Sequence, residues 1–399
     1  EALAHLDGLR TRAMGFEMAI ATSQTKSELD PKTVLLETLL SNDRSYIWLA
    51  DESGTQFYYG PKASELTRMA TSAWSCFAEG RECRAEGQAL SQALLGPGWK
   101  KLRGKRIVVA GDGILSYFPL GALPDPSSAE GTPILQEQEV MLVPSLHAMA
   151  GLRRESGKMG VPREVRVLAD PVYEAQDERL RGKPTREGGK SVALEQALSS
   201  GGVARTLSRL RHSGGEVEAL RETFCARAAC EMAVGFAATR EAFLKPVQQG
   251  SILHIATHGI VNENDPELSG LAFSQWSQDG EWVDGYWPLG EMGDRKVAAR
   301  LVVLSACQTA CGRQYFGQGA FSLANGFLRA GARTVVASNW NVNDAATAQL
   351  MKLFYRRLAA DGKMRVGKAL REAQLELRSR PEWRKPYFWA GFSAYGEWR

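Results

Sequence analysis

Two short apolar segments constrain this chain most, because each runs straight into a reactive side chain. One is Ile252-Leu253-His254-Ile255-Ala256-Thr257-His258-Gly259, and the other is Leu301-Val302-Val303-Leu304-Ser305-Ala306-Cys307-Gln308-Thr309. Apolar runs of this length, rich in Val, Ile and Leu and bounded by polar residues and Gly, read as strands covered on both faces, the kind found in parallel sheets. In an open parallel sheet, ligands bind beyond the carboxyl ends of the strands. His258 and Cys307 both fall at that edge. With the two strands as neighbours, imidazole and thiol meet over one crevice, the arrangement of a Cys nucleophile activated by a His base.

The flanking residues separate chemistry from packing. A buried cysteine usually behaves as a small hydrophobe, but Cys307 follows its strand, and the polar Ser305, Gln308 and Thr309 surround it. Cys311 reads as structural. His254 lies inside the apolar run and reads as a buried, hydrogen-bonded residue, whereas His258 stands at the strand end. Gly259 comes next, and its missing side chain lets a substrate approach the backbone N–H. That N–H and the N–H of Cys307 form a candidate oxyanion hole, where backbone donors stabilise charge developing in the transition state. His5, His147 and His212 have no comparable setting.

Around these segments, strand-like and helix-like stretches alternate, which predicts an α/β fold with a mostly parallel, doubly wound sheet flanked by helices. Residues 1–40 read as helical with a break at Pro31. Tyr46–Ala50 and Gln56–Tyr59 read as a β-hairpin over the turn Asp51-Glu52-Ser53-Gly54. Helices are expected near Ala63–Phe77 and Gly87–Leu95, and strands at Arg106–Ala110 and Glu139–Val143, with Ser145 capping a helix through Arg153. A second α/β pattern opens with the strand Val165–Ala169. It continues through helices at Glu216–Phe224, after Thr239 and at Gly319–Ala330, a strand at Arg333–Ala337, and amphipathic helices at Ala345–Ala359 and Val366–Arg378. The tail Pro386–Gly396 reads as an edge strand or packing segment. The expected organisation is an N-terminal helical and α/β region over 1–155 and a second domain over 156–399. The polar, basic stretch 174–215 is expected to be a flexible insert.

Composition narrows the classes. The chain has 399 residues with 49 basic and 45 acidic side chains, a net charge of +4. That balance argues against a dedicated nucleic-acid binder and leaves only an indirect contact. No run of 18 apolar residues is present, so no membrane span is expected, and no signal peptide is visible. Six cysteines, Cys76, Cys83, Cys225, Cys230, Cys307 and Cys311, are too sparse for a disulfide framework and lack paired CxxC spacing for zinc. Mostly reduced thiols in a cytoplasmic protein follow as the expectation. The first residue is Glu1 rather than Met, so upstream sequence is expected to be missing.

Several motifs together resemble the CHAT-domain cysteine peptidases, bacterial relatives of separases and caspases. They are ILHIATHG at Ile252–Gly259, LVVLSACQT at Leu301–Thr309 and TVVASNWNVND at Thr334–Asp344. Further matches are LADPVY at Leu168–Tyr173, the DGILSYFPLGAL core within Ile107–Leu123, Phe354-Tyr355, and Ala369–Leu377. The resemblance covers roughly residues 100–399 by motif. His258 and Cys307 lie about fifty residues apart, the His-to-Cys spacing of caspases. The resemblance implies a caspase-like fold, with His258 as base, Cys307 as nucleophile and Gly259 contributing to the oxyanion hole. It also implies that residues 1–155 are a degenerate caspase-like half, as in separases, and that a tetratricopeptide-repeat region or other regulatory protein partners the chain.

Specificity is read from residues at the same edge. The caspase signature begins Gln-Ala-Cys, but here Ser305 takes the first place, which argues against an Asp preference. Asp344 lies beyond the Val335 strand, where its carboxylate serves either as the base of a pocket for Arg or Lys or as the cap of the helix at Ala345. Trp340 reads as a pocket wall. Asp170 ends another strand and is assigned either to a turn or to a substrate loop. Glu263, Asp265 and Glu267 form an acidic loop after His258. The leading expectation is an endopeptidase acting on a protein substrate without a cofactor or metal. The alternatives are a gated or inactive interaction module of a larger assembly, and another Cys-dependent amidohydrolase or acyltransferase.

Overall fold

The structure is a computed structural model that describes residues 28–156, 162–185, 191–199, 207–211, 213–262, 264–293, 295–305, 314–315, 319–320, 323–360 and 365–399. In chain order the elements are β1 (Thr33–Leu39), β2 (Ser45–Asp51), β3 (Gly54–Gly60), α1 (Ala63–Ala78), α2 (Arg84–Leu95), β4 (Arg106–Ala110), β5 (Val140–Leu142) and α3 (Leu146–Ser156). Next come β6 (Glu164–Ala169), α4 (Val192–Ser199), α5 (Ser213–Phe224), β7 (Ala229–Val234), α6 (Arg240–Leu244), β8 (Ile252–Ala256), β9 (His258–Ile260), β10 (Gly270–Ala272) and β11 (Tyr286–Pro288). The remainder holds β12 (Leu301–Leu304), β13 (Gln314–Tyr315), β14 (Gly319–Ala320), α7 (Leu323–Arg329), β15 (Thr334–Ser338), α8 (Asp344–Ala360), α9 (Val366–Arg378) and β16 (Phe392–Gly396). The described residues within 28–156, 314–320 and 365–399 form one compact unit, and those within 162–305 and 323–360 form another.

In the first unit the strand order is β3-β2-β1-β4-β5-β16. β3, β2 and β1 are antiparallel, and the pairs β1–β4, β4–β5 and β5–β16 are parallel. The hairpin forms where the alternating aromatics and the Asp51–Gly54 turn predict it. Asp51 closes the turn by accepting from the N–H groups of Ser53 and Gly54. Its buried carboxylate also takes Lys101 at 2.7 Å and Lys105 at 2.8 Å. Although burial opposes its charge, these hydrogen bonds hold its pKa well below the usual carboxylate range. Thr33–Leu39 is a strand, not the helix expected across residues 1–40. Its apolar run lies between β2 and β4, and a short apolar run has no periodicity that separates a buried strand from a helix.

The second unit carries the strands expected to hold the chemistry. Its order is β15-β12-β8-β6-β7, and every adjacent pair is parallel. Leu253, Ile255, Val302, Val303, Val335 and Val336 are all fully buried, as their uninterrupted apolar pattern requires. Burying such a side chain contributes about 1.5–3 kcal/mol. Helix α5 packs on β6 and on α8, and α7 packs on β15. Gly331, at φ +102°, ends the α7 segment in the left-handed conformation that favours glycine. The Trp-rich excursion between the His and Cys strands folds as a second sheet, β9-β10-β11. Trp287 on β11 packs edge-on to Phe243, with centroids 4.9 Å apart, and Phe243 stacks on Phe273 at 5.0 Å. Within the stretch 174–215, α4 is helical and sets Ala197 and Leu198 against Tyr173, Ile260, Ala272 and Tyr286. None of the helices among the described residues is long and apolar enough to cross a membrane.

Four cysteines are paired, which corrects the expectation of mostly reduced thiols. Cys76 bonds Cys83 and Cys225 bonds Cys230. Both pairs are local. The chain leaves α1 through Gly80 at φ +66°, with Arg81 N–H donating to the Cys76 carbonyl, and so returns Cys83 beside Cys76. Sparse spacing counts alone miss such pairs, because a tight turn after a helix brings two nearby cysteines together whatever the total number. Cys307 and Cys311 lie outside the described residues.

Two outcomes test this fold. Iodoacetamide applied to the denatured, unreduced protein should leave Cys76, Cys83, Cys225 and Cys230 unmodified by peptide mass mapping, and prior reduction should expose all four. Leu253→Ala, at the centre of the parallel strands, should lower stability by about 2–5 kcal/mol in urea denaturation; a loss under 1 kcal/mol would mean that β8 is not packed on both faces.

Candidate active site

Parallel register brings four strand ends to one edge. β8 pairs with β12 so that Ile255 faces Leu304, and Ser305 N–H extends the ladder by donating to the Ile255 carbonyl at 2.9 Å. β15 flanks β12 on its other side, with Ala337 facing Leu304. β6 flanks β8, with Ala169 facing Ala256. Trp340 and Asp344, Ser305, His258, and Asp170 therefore emerge beyond consecutive strands of one unit. Ser305 is buried, and Trp340 is 1% exposed. Cys307 and Glu263 lie outside the described residues.

His258 is half-buried at the start of β9. Its Nε2 lies 2.6 Å from the carbonyl oxygen of Ser208. A carbonyl only accepts, so this contact assigns the proton to Nε2 and leaves the Nδ1 lone pair available. The Tyr173 ring sits 4.9 Å away, centroid to centroid. Tyr173 Oη also accepts from the His258 backbone N–H at 3.1 Å and shares a 2.8 Å hydrogen bond with Thr257 Oγ1. Thr257 Oγ1 donates to the Ala272 carbonyl of β10, and Gly259 faces Leu271 across β9–β10. The backbone around the imidazole is thus fixed from three sides. Burial lowers the His258 pKa below the ordinary imidazole value, while the Ser208 carbonyl and the charge of Asp344 pull it back up. The ring is therefore neutral near pH 7, the state a general base requires.

Asp344 is the first residue of α8. The neighbouring Asn343 caps the helix, its Oδ1 accepting from Ala346 N–H at 3.0 Å. Asn is among the strongest capping residues, and its presence one place earlier is the sequence signal for this assignment. The Asp344 carboxylate is half-buried, and its field reaches His258.

Asp170 is buried, and it is the one non-glycine residue at positive φ (+49°) among those described. Arg209 meets its carboxylate as a fork, Nε to Oδ1 at 2.9 Å and Nη2 to Oδ2 at 2.8 Å. Arg179 adds Nη1 to Oδ2 at 3.0 Å. Both arginines come from the basic stretch 174–215.

His254 is fully buried and hydrogen-bonded, as its place inside the strand implied. Its Nδ1 lies 2.7 Å from Tyr355 Oη of α8, and its Nε2 lies 3.3 Å from Glu216 Oε2 of α5. Burial, with the Glu216 charge, pushes the Tyr355 pKa well above its ordinary value, so the phenol keeps its proton to donate to Nδ1. This buried trio ties β8 to both helices one turn of strand before His258. Residue patterns did not single out Ser208, Arg209, Thr257 or Glu216. Tyr173 and Tyr355 were visible only as parts of motifs. No group of three or more His, Cys, Asp or Glu side chains that could hold a metal ion occurs among the described residues.

Known proteins share this architecture. The structure of Saccharomyces cerevisiae separase in complex with securin superposes with a TM-score of 0.60 over 98% of this chain and 31% of that one, at 9% identity. A second separase–securin structure gives 0.57 at 11% identity, over the same shares. At these identities the likeness is one of fold, the caspase-like α/β fold. Tetratricopeptide repeat protein 28 of Mus musculus is 29% identical over 196 residues, 42% of this chain, and the Homo sapiens protein is 28% identical over the same length. The chain spans 8% of the length of those relatives. The CHAT domain family matches residues 84–397, which take in both reactive segments, the whole second unit and the first unit from Arg84 onward, and this chain belongs to that family.

Proposed function

We propose that the chain is a cysteine endopeptidase in which Cys307 is the nucleophile and His258 the general base. The observation that carries this reading is the His258 imidazole: half-buried, neutral, and held through Nε2 at the carboxyl end of β8, beside the strand that runs into Cys307. Nδ1 takes the thiol proton as Sγ adds to the scissile carbonyl. The tetrahedral oxyanion is met by the backbone N–H groups of Gly259 and Cys307. His258 then protonates the leaving amine as the C–N bond breaks, giving a thioester. Water, deprotonated by the same imidazole, attacks the thioester and releases the acid and the thiol. The chemistry uses no cofactor or metal.

The substrate is a protein segment, with a basic residue before the cut. The half-buried Asp344 carboxylate beside His258 supports that preference, with Trp340 and Ser305 as neighbouring walls. Asp170 is a weaker candidate for direct substrate contact, because its carboxylate already holds two arginines. A second reading rests on length. The chain spans 8% of its tetratricopeptide-repeat relatives, which favours a catalytic module gated by a repeat region or another regulatory protein in a larger assembly.

Cleavage of a peptide library should fall by at least about a thousandfold in Cys307→Ala, and the wild-type profile should be enriched in Arg or Lys at P1. Cleavage that survives in Cys307→Ala would refute the nucleophile, and a profile without basic residues would refute the pocket. The acid limb of kcat/KM should have its midpoint below the ordinary imidazole pKa of 6.5, because burial disfavours the protonated ring. Asp344→Asn removes a charge that favours protonation, so the midpoint should move lower still; an upward move would exclude Asp344 as a neighbour of the base.

A further inference from the structure

Within the stretch 174–215, the short piece Leu207 to Arg211 runs past the site, and Ser208 contacts His258 through its carbonyl. We infer that Asp170 and Arg209 are positioning residues for His258: their ion pair fixes the backbone at Ser208, and the Ser208 carbonyl holds the imidazole in one tautomer and one orientation. This inference rests on the assignment of His258 as the base.

The geometry is over-determined at Arg209. All three guanidinium nitrogens are engaged: Nε and Nη2 on Asp170 at 2.9 and 2.8 Å, and Nη1 on Glu178 Oε1 at 2.5 Å. A bidentate fork fixes direction as well as distance, which a lysine cannot do. The other end of the clamp is equally fixed. Arg179 holds the Asp170 carboxylate and carbonyl through Nη1 and the Pro171 carbonyl through Nη2, while its remaining contacts go to Asp177. That cradle keeps Asp170 at φ +49°, a conformation a non-glycine residue holds only when its surroundings enforce it.

On the other side of Ser208, Leu207 packs into the apolar cluster of Tyr173, Ala197, Ile260, Ala272 and Tyr286. Ser208 is thus pinned between an apolar anchor and an ionic one. Its own side chain needs no role, because the contact to His258 is made by the carbonyl. Among the described residues the Tyr173 ring and the Asp344 charge also act on His258, and neither is the carbonyl acceptor that selects the Nε2–H form. Asp170 and Arg209 touch no reacting atom; they act through Ser208.

The test uses the full chain with 15N-labelled histidine, in wild type, Arg209→Ala, Arg209→Lys and Asp170→Asn, each checked by thermal melting. The nitrogen shifts of His258 report its tautomer without requiring turnover. Wild type should be predominantly Nε2–H. Arg209→Ala and Asp170→Asn should give a mixed population and lower kcat about a hundredfold, with KM changed far less. Arg209→Lys, which keeps the charge but not the fork, should fall between. If Arg209→Ala does not fold, Arg209→Lys and Asp170→Asn carry the same comparison. Unchanged His258 nitrogen shifts and kcat in folded Arg209→Ala or Asp170→Asn would overturn the clamp. Failure of the peptidase reading is seen separately, as cleavage that survives Cys307→Ala; the nitrogen shifts still decide the clamp in that case.

Discussion

The parallel register of β6, β8, β12 and β15 is the constraint on which the rest of the site depends. Parallel strands all finish at the same edge, so whatever residue follows each strand is delivered to one line. Here that line is Asp170, His258, Ser305 leading to Cys307, and Trp340 leading to Asp344. A parallel sheet needs cover on both faces, and that requirement makes the strands largely apolar. Arg166 in β6, paired with Glu164 and Glu231, is one buried polar residue inside a strand, and His254 in β8 is another. His254 lies shortly before the end of β8, beyond which His258 stands. It is held by Tyr355, whose Oη meets Nδ1, and lies 3.3 Å from the Glu216 carboxylate, so β8 is tied to α8 and set against α5. The same helix α8 carries Asp344 at its first turn, so the support of the strand and the charge acting on His258 come from one helix.

Electrostatics at this edge is divided between two kinds of carboxylate. Asp170 is saturated by guanidinium groups from its own chain, and its charge acts on internal structure. Asp344 is half-buried at the start of α8, next to the capping Asn343, and its charge acts on His258. The imidazole itself sits between opposing effects, burial lowering its affinity for protons and the Ser208 carbonyl and the Asp344 charge raising it, with burial the larger.

The sequence made the elements legible where local rules dominate. The hairpin at Tyr46–Tyr59 followed from alternation and an Asp-x-x-Gly turn, the helix after Ser145 from its cap, and the end of α7 from Gly331. The apolar runs at 252–256 and 301–304 were legible because a strand buried on both faces has no polar positions to blur it. β1 was not legible: a short run of apolar and β-branched residues, interrupted only by Glu37, carries no period of its own next to a helical pattern, and only pairing with β2 and β4 makes it a strand. The cysteine pairs were missed for a related reason, since a turn geometry rather than a count brings the sulfurs together.

By itself the sequence determined which side chains stand at strand ends, and hence that His258 shares an edge with Asp170, Ser305 and the turn before Asp344. It determined this because strand length and burial are encoded locally, in runs of apolar residues and the polar residues that stop them. Only the tertiary structure decided the strand order and what surrounds His258. It brought Ser208 and Arg209 across from a basic stretch that reads as featureless, gave Asp170 its arginines, and gave the helix cap to Asn343. Those contacts join residues far apart in the chain. They exist only once the sheet has fixed where each loop begins and ends, so no local pattern could carry them.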